Sequence, residues 1–430
     1  MLGALADDFT GATDLAMALV ARGFRTVVSI GVPSHERLTV LPEQADAVVI
    51  ALKTRTIEPS AAVAASRTAL RALRRMGATR IYDKYCSTFD STPAGNIGPI
   101  LDALASDLGT SLTVVVPSFP AAGRTVVDGQ LYVHGTPLGE SPMRHHPLTP
   151  MTDSDVPRLL AAQSTASVVQ VGLGTVRSGG LREALESLRS ESLRSESLRS
   201  ESLRRGDEVV AVVVDAQSED DLVTIAAATA DLPLITGGSG LALGLSGPGA
   251  PPVRLSAHGG PKAVLAGSAS AATRGQIAHA QALMPHRRLD IAALRADFEG
   301  AVAGLRTWAV REWQQDSEKP VLVYAVGELS DVQPAAAGEV PASDLVEQAL
   351  SRLASEFADA GCRQMIVAGG ETSGAVVSAL NVRELVIGQP VAAGVTWAQG
   401  DSRGRVMNLL LKSGNFGDED LMSGAWTVLS

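Results

Sequence analysis

The chain begins Met1-Leu2-Gly3-Ala4-Leu5-Ala6-Asp7-Asp8-Phe9-Thr10-Gly11-Ala12-Thr13-Asp14, and the reading of this stretch decides the class of fold. A short apolar run leads into a polar turn carrying two carboxylates. An Ala/Leu-rich segment of helical character then runs to about Arg22. Strand, polar turn and helix in that order open an α/β layer fold. The rhythm recurs down the chain. Runs at 26–30, 47–51, 79–83, 112–117, 167–171, 209–215 and 233–236 read as strands, several of them apolar throughout. That is the pattern of strands buried on both faces of a parallel sheet. Helical patterns at 60–76, 97–108, 155–163 and 219–230 fall between them.

Ser246-Gly-Pro-Gly-Ala-Pro-Pro252 then interrupts the series and reads as a linker. A second α/β series follows, with strands at 263–265, 321–325, 364–368 and 385–387 and helices at 273–284 and 344–360. The expectation is two α/β domains with mainly parallel sheets, 1–247 and 255–430, the boundary near 250 and the substrate cleft between them. One repeat stands out. Glu186-Ser-Leu-Arg-Ser190 recurs from Glu191 and Glu196, and Glu201-Ser-Leu-Arg-Arg205 closes the run. A five-residue period advances ~500° around an α-helix, so Leu188, Leu193, Leu198 and Leu203 share no face. The segment 186–205 reads as a tandem expansion that lengthens a surface helix or forms a mobile loop.

The 430 residues, 45% apolar, are ample for a buried core, and with only 3% aromatics that core rests on Ala, Val and Leu. No apolar run reaches the ~18–20 residues that span a bilayer. Asp7 and Asp8 stand where a secretory signal places basic residues. A cytoplasmic protein without a membrane partner is expected. The net charge of −10 argues against nucleic acid as a partner, which needs a basic surface. It leaves phosphorylated ligands open, because backbone amides and helix ends hold phosphate without net basicity. Cys86 and Cys362 match no zinc or redox spacing.

Neither a Walker A loop nor a protein-kinase catalytic set is present. Chemistry must come from other clusters, and six segments concentrate polar side chains or glycine. Asp7 and Asp8 follow a strand, where the crevice of an open sheet lies. They suit sugar hydroxyls or a base, and Asp8 or Thr10 equally suits the cap of the next helix. Lys84-Tyr-Cys-Ser87-Thr88-Phe-Asp90-Ser-Thr-Pro-Ala-Gly95-Asn-Ile-Gly98 packs a cation, hydroxyls and a carboxylate into one strand-to-helix turn. Lys84 there suits a substrate carboxylate, a solvated lysine on a capped turn being the plainer alternative. The segment 117–125, with 135–150 beyond it, is rich in Pro and Gly and reads as a rigid irregular loop in which Arg124 and Arg144 could clamp an anion. In the second half, Gly267-Ser268-Ala-Ser270, Gly369-Gly370-Glu371-Thr372-Ser-Gly374 and Lys412-Ser-Gly414-Asn-Phe-Gly417 are three small-residue turns. Three such turns in one domain point to a nucleotide.

Together these segments resemble the four-carbon acid sugar kinases, and within that family the 3-oxo-tetronate kinases. The resemblance rests on Ala6-Asp7-Asp8-Phe-Thr-Gly-Ala-Thr-Asp14, Cys86-Ser-Thr-Phe-Asp-Ser-Thr92 with Gly95-Asn-Ile-Gly98, and Arg144-His-His-Pro-Leu-Thr-Pro150. Gly369-Gly-Glu-Thr-Ser-Gly374 and Leu411-Lys-Ser-Gly-Asn-Phe-Gly417 complete it. It covers nearly the whole chain apart from the repeat. The chain departs from the family's pattern at Ala121, Ala122, Ala266 and Ala269 and at the bulky Tyr85.

The resemblance implies an amino-terminal domain for the sugar acid, a carboxy-terminal domain for ATP, Mg²⁺ as cofactor, and phosphorylation of the C4 hydroxyl. It implies ATP contacts at Ser268, Gly369, Gly370, Glu371, Thr372 and Gly414. It also implies acid-sugar contacts from Asp7, Lys84, Ser87, Thr88 and Arg144, with Asp8 or Asp90 as the catalytic carboxylate. No residue is singled out as a direct metal ligand, and a homodimer is compatible with the sequence.

Rival readings make separable demands. A dinucleotide-dependent oxidoreductase needs Gly-x-Gly-x-x-Gly, and the nearest turn, Gly172-x-Gly174, has Arg177 in the third position. A non-catalytic two-lobed sugar-acid sensor needs no ATP site. Threonate or erythronate as substrate is the alternative within the kinases.

Overall fold

A computed structural model of the chain describes residues 1–38, 45–145, 149–197, 209–328, 340–392 and 394–429. The chain divides into two compact units, Met1–Pro251 and Pro252–Ser430.

In the first unit the strands are β1 (Leu2–Ala6), β2 (Thr26–Ile30), β3 (Ala47–Ala51), β4 (Arg80–Lys84), β5 (Leu112–Val116), β6 (Arg124–Val127), β7 (Gln130–Val133), β8 (Thr136–Pro137), β9 (Ser167–Val171), β10 (Val210–Val214) and β11 (Leu234–Gly237). The order β2-β3-β1-β4-β11-β5-β10-β9 is parallel at every pairing. Strands β1, β3, β5 and β10 are buried at every residue, which is why they read as unbroken apolar runs. The order reverses its direction of growth at β1, with β3 on one side and β4 on the other. Carboxyl ends of strands at such a switch point form the binding crevice of open α/β sheets. The turns after β1, β3 and β4 are those that begin at Asp7, Leu52 and Tyr85.

Helices cover this sheet for local reasons. Helix Phe9–Ala21 starts on the Asp8 cap, whose carboxylate accepts from the Gly11 N–H, and buries most of its residues. Helix Pro59–Arg75 opens with proline in its first turn, where the missing N–H costs nothing. Helix Ile97–Leu108 ends at Gly109 in the left-handed region. Residues 124–137, for which the sequence predicts no strand, form the antiparallel ribbon β6-β7-β8. Tight Asp128-Gly129 and His134-Gly135 turns, all four residues at positive φ, close it. The repeat begins inside helix Leu181–Ser197; Leu181 and Leu185 are buried, whereas Glu186, Ser187, Arg189, Ser190 and Glu191 are exposed. The rest of the repeat lies outside the described residues.

The second unit has β12 (Lys262–Ala266), β13 (His286–Arg288), β14 (Val321–Tyr324), β15 (Gln364–Ala368), β16 (Glu384–Ala392), β17 (Val395–Ser402) and β18 (Arg405–Lys412), in the order β13-β14-β12-β15-β18-β17-β16. Pairings from β13 to β18 are parallel, while β17 runs antiparallel to both neighbours. Strands β17 and β18 were not expected from the sequence, nor were helices Ile291–Ala296 and Phe298–Gln315. Polar residues disguise β18: Asn408 is fully buried but satisfied, donating to the Ser256 carbonyl at 2.8 Å. The core here gathers around Trp397, with Leu410, Val264, Ile366 and Ile277. Among the described residues no helix is long and apolar enough to cross a membrane.

Candidate functional site

Asp7 and Asp8 follow β1 directly, and both are held by Arg55, which the turn after β3 supplies. The guanidinium grips Asp7 through both oxygens, Nε to Oδ2 at 2.7 Å and Nη2 to Oδ1 at 3.0 Å, and reaches Asp8 Oδ2 at 3.1 Å. Burial opposes the charge on Arg55, yet the Asp7 carboxylate, with Cys86 and Asp8 beyond it, holds its pKa above the ordinary arginine value. Arg55 is itself fixed from below. Asn96 Nδ2 donates to the carbonyls of Thr54 at 2.6 Å and Ile57 at 2.8 Å, pinning the turn that carries it. Among the described residues Asn96 Oδ1 has no hydrogen-bond partner, although it is buried.

Lys84 ends β4 and is buried, not solvated. Its Nζ donates to the Tyr85 carbonyl at 2.9 Å and makes no ion pair among the described residues. Gly11 keeps room for it: a Cβ there would lie 2.4 Å from Lys84 Nζ and 2.5 Å from Asp8 Oδ1. In the following turn Thr88 donates to Asp90 at 2.6 Å, and the Cys86 sulfur lies 2.9 Å from the Thr88 hydroxyl. Phe89, fully buried between them, sits at φ 51°, a left-handed conformation rare for an aromatic residue and typical of functional turns. Ser87 is half-buried and makes no side-chain hydrogen bond among the described residues. Asp7, Arg55, Asp83, Asp90 and Asn96 line a small pocket of about 20 Å³.

Two further carboxylates are perturbed. Burial pushes the Asp83 carboxyl up to about 8, with the charge of Asp7 adding to the rise. Desolvation raises Asp14 to about 6, Lys84 opposing the rise and Asp8 adding to it. Burial likewise lifts the Cys86 thiol to about 11, so it is protonated at neutral pH. The structure thus brings Asp7, Asp8, Lys84, Thr88 and Asp90 to one edge of the sheet. Arg144 is exposed on the short 3-10 turn Pro142–His145 and donates to the Gly139 carbonyl at 3.0 Å. Of the motif that follows it, 146–148 lie outside the described residues. The sequence reading missed Arg55, since a single arginine in Lys53-Thr-Arg-Thr56 carries no motif, and it quoted Asn96 in Gly95-Asn-Ile-Gly98 without a role.

In the second unit the three small-residue turns converge. Ser268 and Gly267 both donate backbone N–H to the Ala368 carbonyl, and Gly369 donates to that of Lys412. Gly369 has φ 129°, which only glycine adopts without strain, and a Cβ on Gly414 would lie 2.4 Å from Ser268 Oγ. The loop 412–417 is tied to helix Ala271–Gln281: the Gly414 carbonyl accepts from Ser270 Oγ and from Thr273 Oγ1 at 2.8 Å. Gln276 donates to the carbonyls of Phe416 and Gly417. Two helices, Ala271–Gln281 and Gly370–Ala379, begin at this cluster, and their free N–H groups favour an anion. Thr372 is buried and Glu371 exposed in the first turn of the second. Glycine at 267, 369 and 414 lets the three turns pack together, because a Cβ there would meet Thr372 or Ser268.

A family model described as a sugar-binding N-terminal domain matches residues 2–245, and one described as a nucleotide-binding C-terminal domain matches 263–422. A 3-oxo-tetronate kinase of Pseudomonas fluorescens is 46% identical over 99% of this chain and 96% of its own. A protein of the same name from Pseudomonas savastanoi is 43% identical over 100% of this chain and 97% of its own. Among solved structures, one from Salmonella typhimurium LT2, described as a tRNA synthase, superposes with a TM-score of 0.86 at 38% identity, covering 100% of this chain and 99% of that one.

Proposed function

Since the chain belongs to the 3-oxo-tetronate kinases of the four-carbon acid sugar kinase family, we propose that it transfers the γ-phosphoryl group of ATP to the C4 hydroxyl of a 3-oxo-tetronate. The observation that carries this reading is the buried Lys84 ammonium, which among the described residues hydrogen-bonds to a carbonyl alone and is set beside the Arg55–Asp7–Asp8 cluster. The Asp14 carboxyl feels its charge without forming an ion pair with it, and a substrate carboxylate would supply that pair. Lys84 binds the carboxylate as a point charge. Arg55, aimed by Asp7, offers its remaining donors to substrate oxygens, and Ser87 and Thr88 take hydroxyls.

Asp8 orients the C4 hydroxyl and takes its proton. It is the more accessible of the two candidate carboxylates, its side chain 31% exposed, whereas Asp90 is buried and engaged by Thr88. Arg144 is assigned no step. Ser268, Gly369, Gly370, Thr372 and Gly414 cradle the phosphates, and Glu371 lies at the rim. No cluster of three or more metal-ligating side chains exists among the described residues. Mg²⁺ suits such a site as the partner of the nucleotide's own oxygens, keeping much of its water, and when bound it neutralises charge on the transferring group. A tRNA-directed activity, named for the Salmonella neighbour, would need a basic surface, and the chain carries a net charge of −10.

The deciding experiment is coupled ADP release with Mg-ATP against 3-oxo-tetronates, threonate and erythronate. Turnover confined to the 3-oxo acids is expected. Turnover on threonate or erythronate instead would refute the substrate, and no turnover with any of them would refute the kinase reading.

A further inference from the structure

Lys412, the last residue of β18, is 2% exposed. Its Nζ donates to Thr273 Oγ1 at 2.9 Å, Gln276 Oε1 at 2.9 Å and the Gly414 carbonyl at 3.2 Å. All three acceptors are neutral. The helix Ala271–Gln281 offers it Thr273 and Gln276, β15 offers Ala368 and β17 offers Val395. The acidic side chains of adjoining segments, Glu371, Asp418, Glu419 and Asp420, are exposed, and none pairs with it among the described residues. Desolvation alone lowers its pKa to about 8. An uncompensated buried ammonium is several kcal/mol worse than a paired one, and an apolar residue would fill the same volume without that cost.

Its place explains the cost. The Gly414 carbonyl that accepts from Lys412 also accepts from Ser270 and Thr273, so the ammonium is bonded into the junction of two of the three small-residue turns. The backbone of Lys412 receives the N–H of Gly369, the residue that opens the third. We propose that Lys412 is a positioning residue whose charge is completed by the phosphates of the bound nucleotide, so that ATP binding carries proton uptake above neutral pH. This rests on the nucleotide reading of the second unit and adds to it a charge and a pH dependence.

The sign follows from linkage. Phosphate favours charged Lys412, so the bound form holds its proton to higher pH than the free form. Affinity is therefore full below about pH 8 and falls as pH rises above it, up to about tenfold per pH unit until the bound form also titrates. The ATP phosphates are already fully ionised across pH 7.5–9.5 and add no slope of their own.

The experiment is calorimetric titration of the full chain with Mg-ATP from pH 7.5 to 9.5, in two buffers of different ionisation enthalpy, with Lys412→Met in parallel. The native chain is expected to weaken by roughly tenfold or more over that range and to take up protons at pH 8.5. Lys412→Met should bind at least about tenfold more weakly at pH 7.5 with a flat profile, while its turnover at saturating ATP changes far less than its KM. A merely structural lysine would give a weakened variant with no proton uptake by the native chain, and that result overturns the proposal. Because proton uptake is read on the native chain, a variant that fails to fold does not rescue it. Native protein that binds no Mg-ATP at any pH sinks the nucleotide reading itself, whereas pH-independent binding sinks only the role of Lys412.

Discussion

At the scale of single residues, the first site is a set of charges held against their preferences. Asp8 both caps a helix and faces Arg55, and asparagine separates these duties because it caps equally well. Asp8→Asn should therefore keep the thermal midpoint within a few degrees and lose more than about 100-fold in turnover, the scale of a lost general base. Asp90→Asn, whose carboxylate bonds Thr88, should lose less; equal turnover for Asp8→Asn and the native chain would remove Asp8 from the mechanism. Asp83 makes a thermodynamic prediction. The unfolded chain releases this proton near pH 4, but the folded chain keeps it to about 8. Between those values the native state binds the extra proton, so stability falls as pH rises. Asp83→Asn abolishes that slope, and its stability relative to the native chain should grow from pH 5 to pH 8 by on the order of 1 kcal/mol per pH unit in denaturant titrations. A constant difference would mean that Asp83 is ionised in the folded state.

At the scale of elements, what matters is how turns are emptied of side chains where ligands approach. Gly414 leaves no room for a methyl group against Ser268. Gly414→Ala should raise the KM for ATP more than about tenfold, because the loop must move away from the phosphates, while acid-sugar binding measured by calorimetry stays unchanged. Loss of both affinities together would point to general unfolding instead. The strands of the first unit were legible because they are buried on both faces, and observed ends differ from expected ones by a residue or so, as at Arg80–Lys84. The ribbon β6-β7-β8 was not, since the Gly129 and Gly135 of its turns and the Pro137 of β8 are also the marks of irregular loops. β18 hid for another reason: Asn408 and Lys412 break its apolar pattern, and only tertiary partners make their burial tolerable. Arg55 was invisible because its significance lies in Asp7, Asp8 and Asn96, all far away in sequence.

At the scale of the whole molecule, each unit supplies its own cluster at the carboxyl ends of its strands, and the repeat belongs to neither. Its helix anchors through Leu181 and Leu185, upstream of the first pentad, and the described side chains that follow are mostly exposed. Deleting 191–200, two whole pentads, should leave kcat/KM within about twofold and move the thermal midpoint by no more than about 2 °C, the range of surface changes. A larger drop in scanning calorimetry would mean that the segment packs on the body of the protein. A helical pentad would add ~7.5 Å of length and turn its leucine ~140° onto a new face, so no continuous apolar stripe builds up with copy number. Gain or loss of a unit restores the same junction, Ser before Glu, and keeps the reading frame. If the deletion behaves as expected, copy number is a dimension that can change in whole steps without cost to the chemistry.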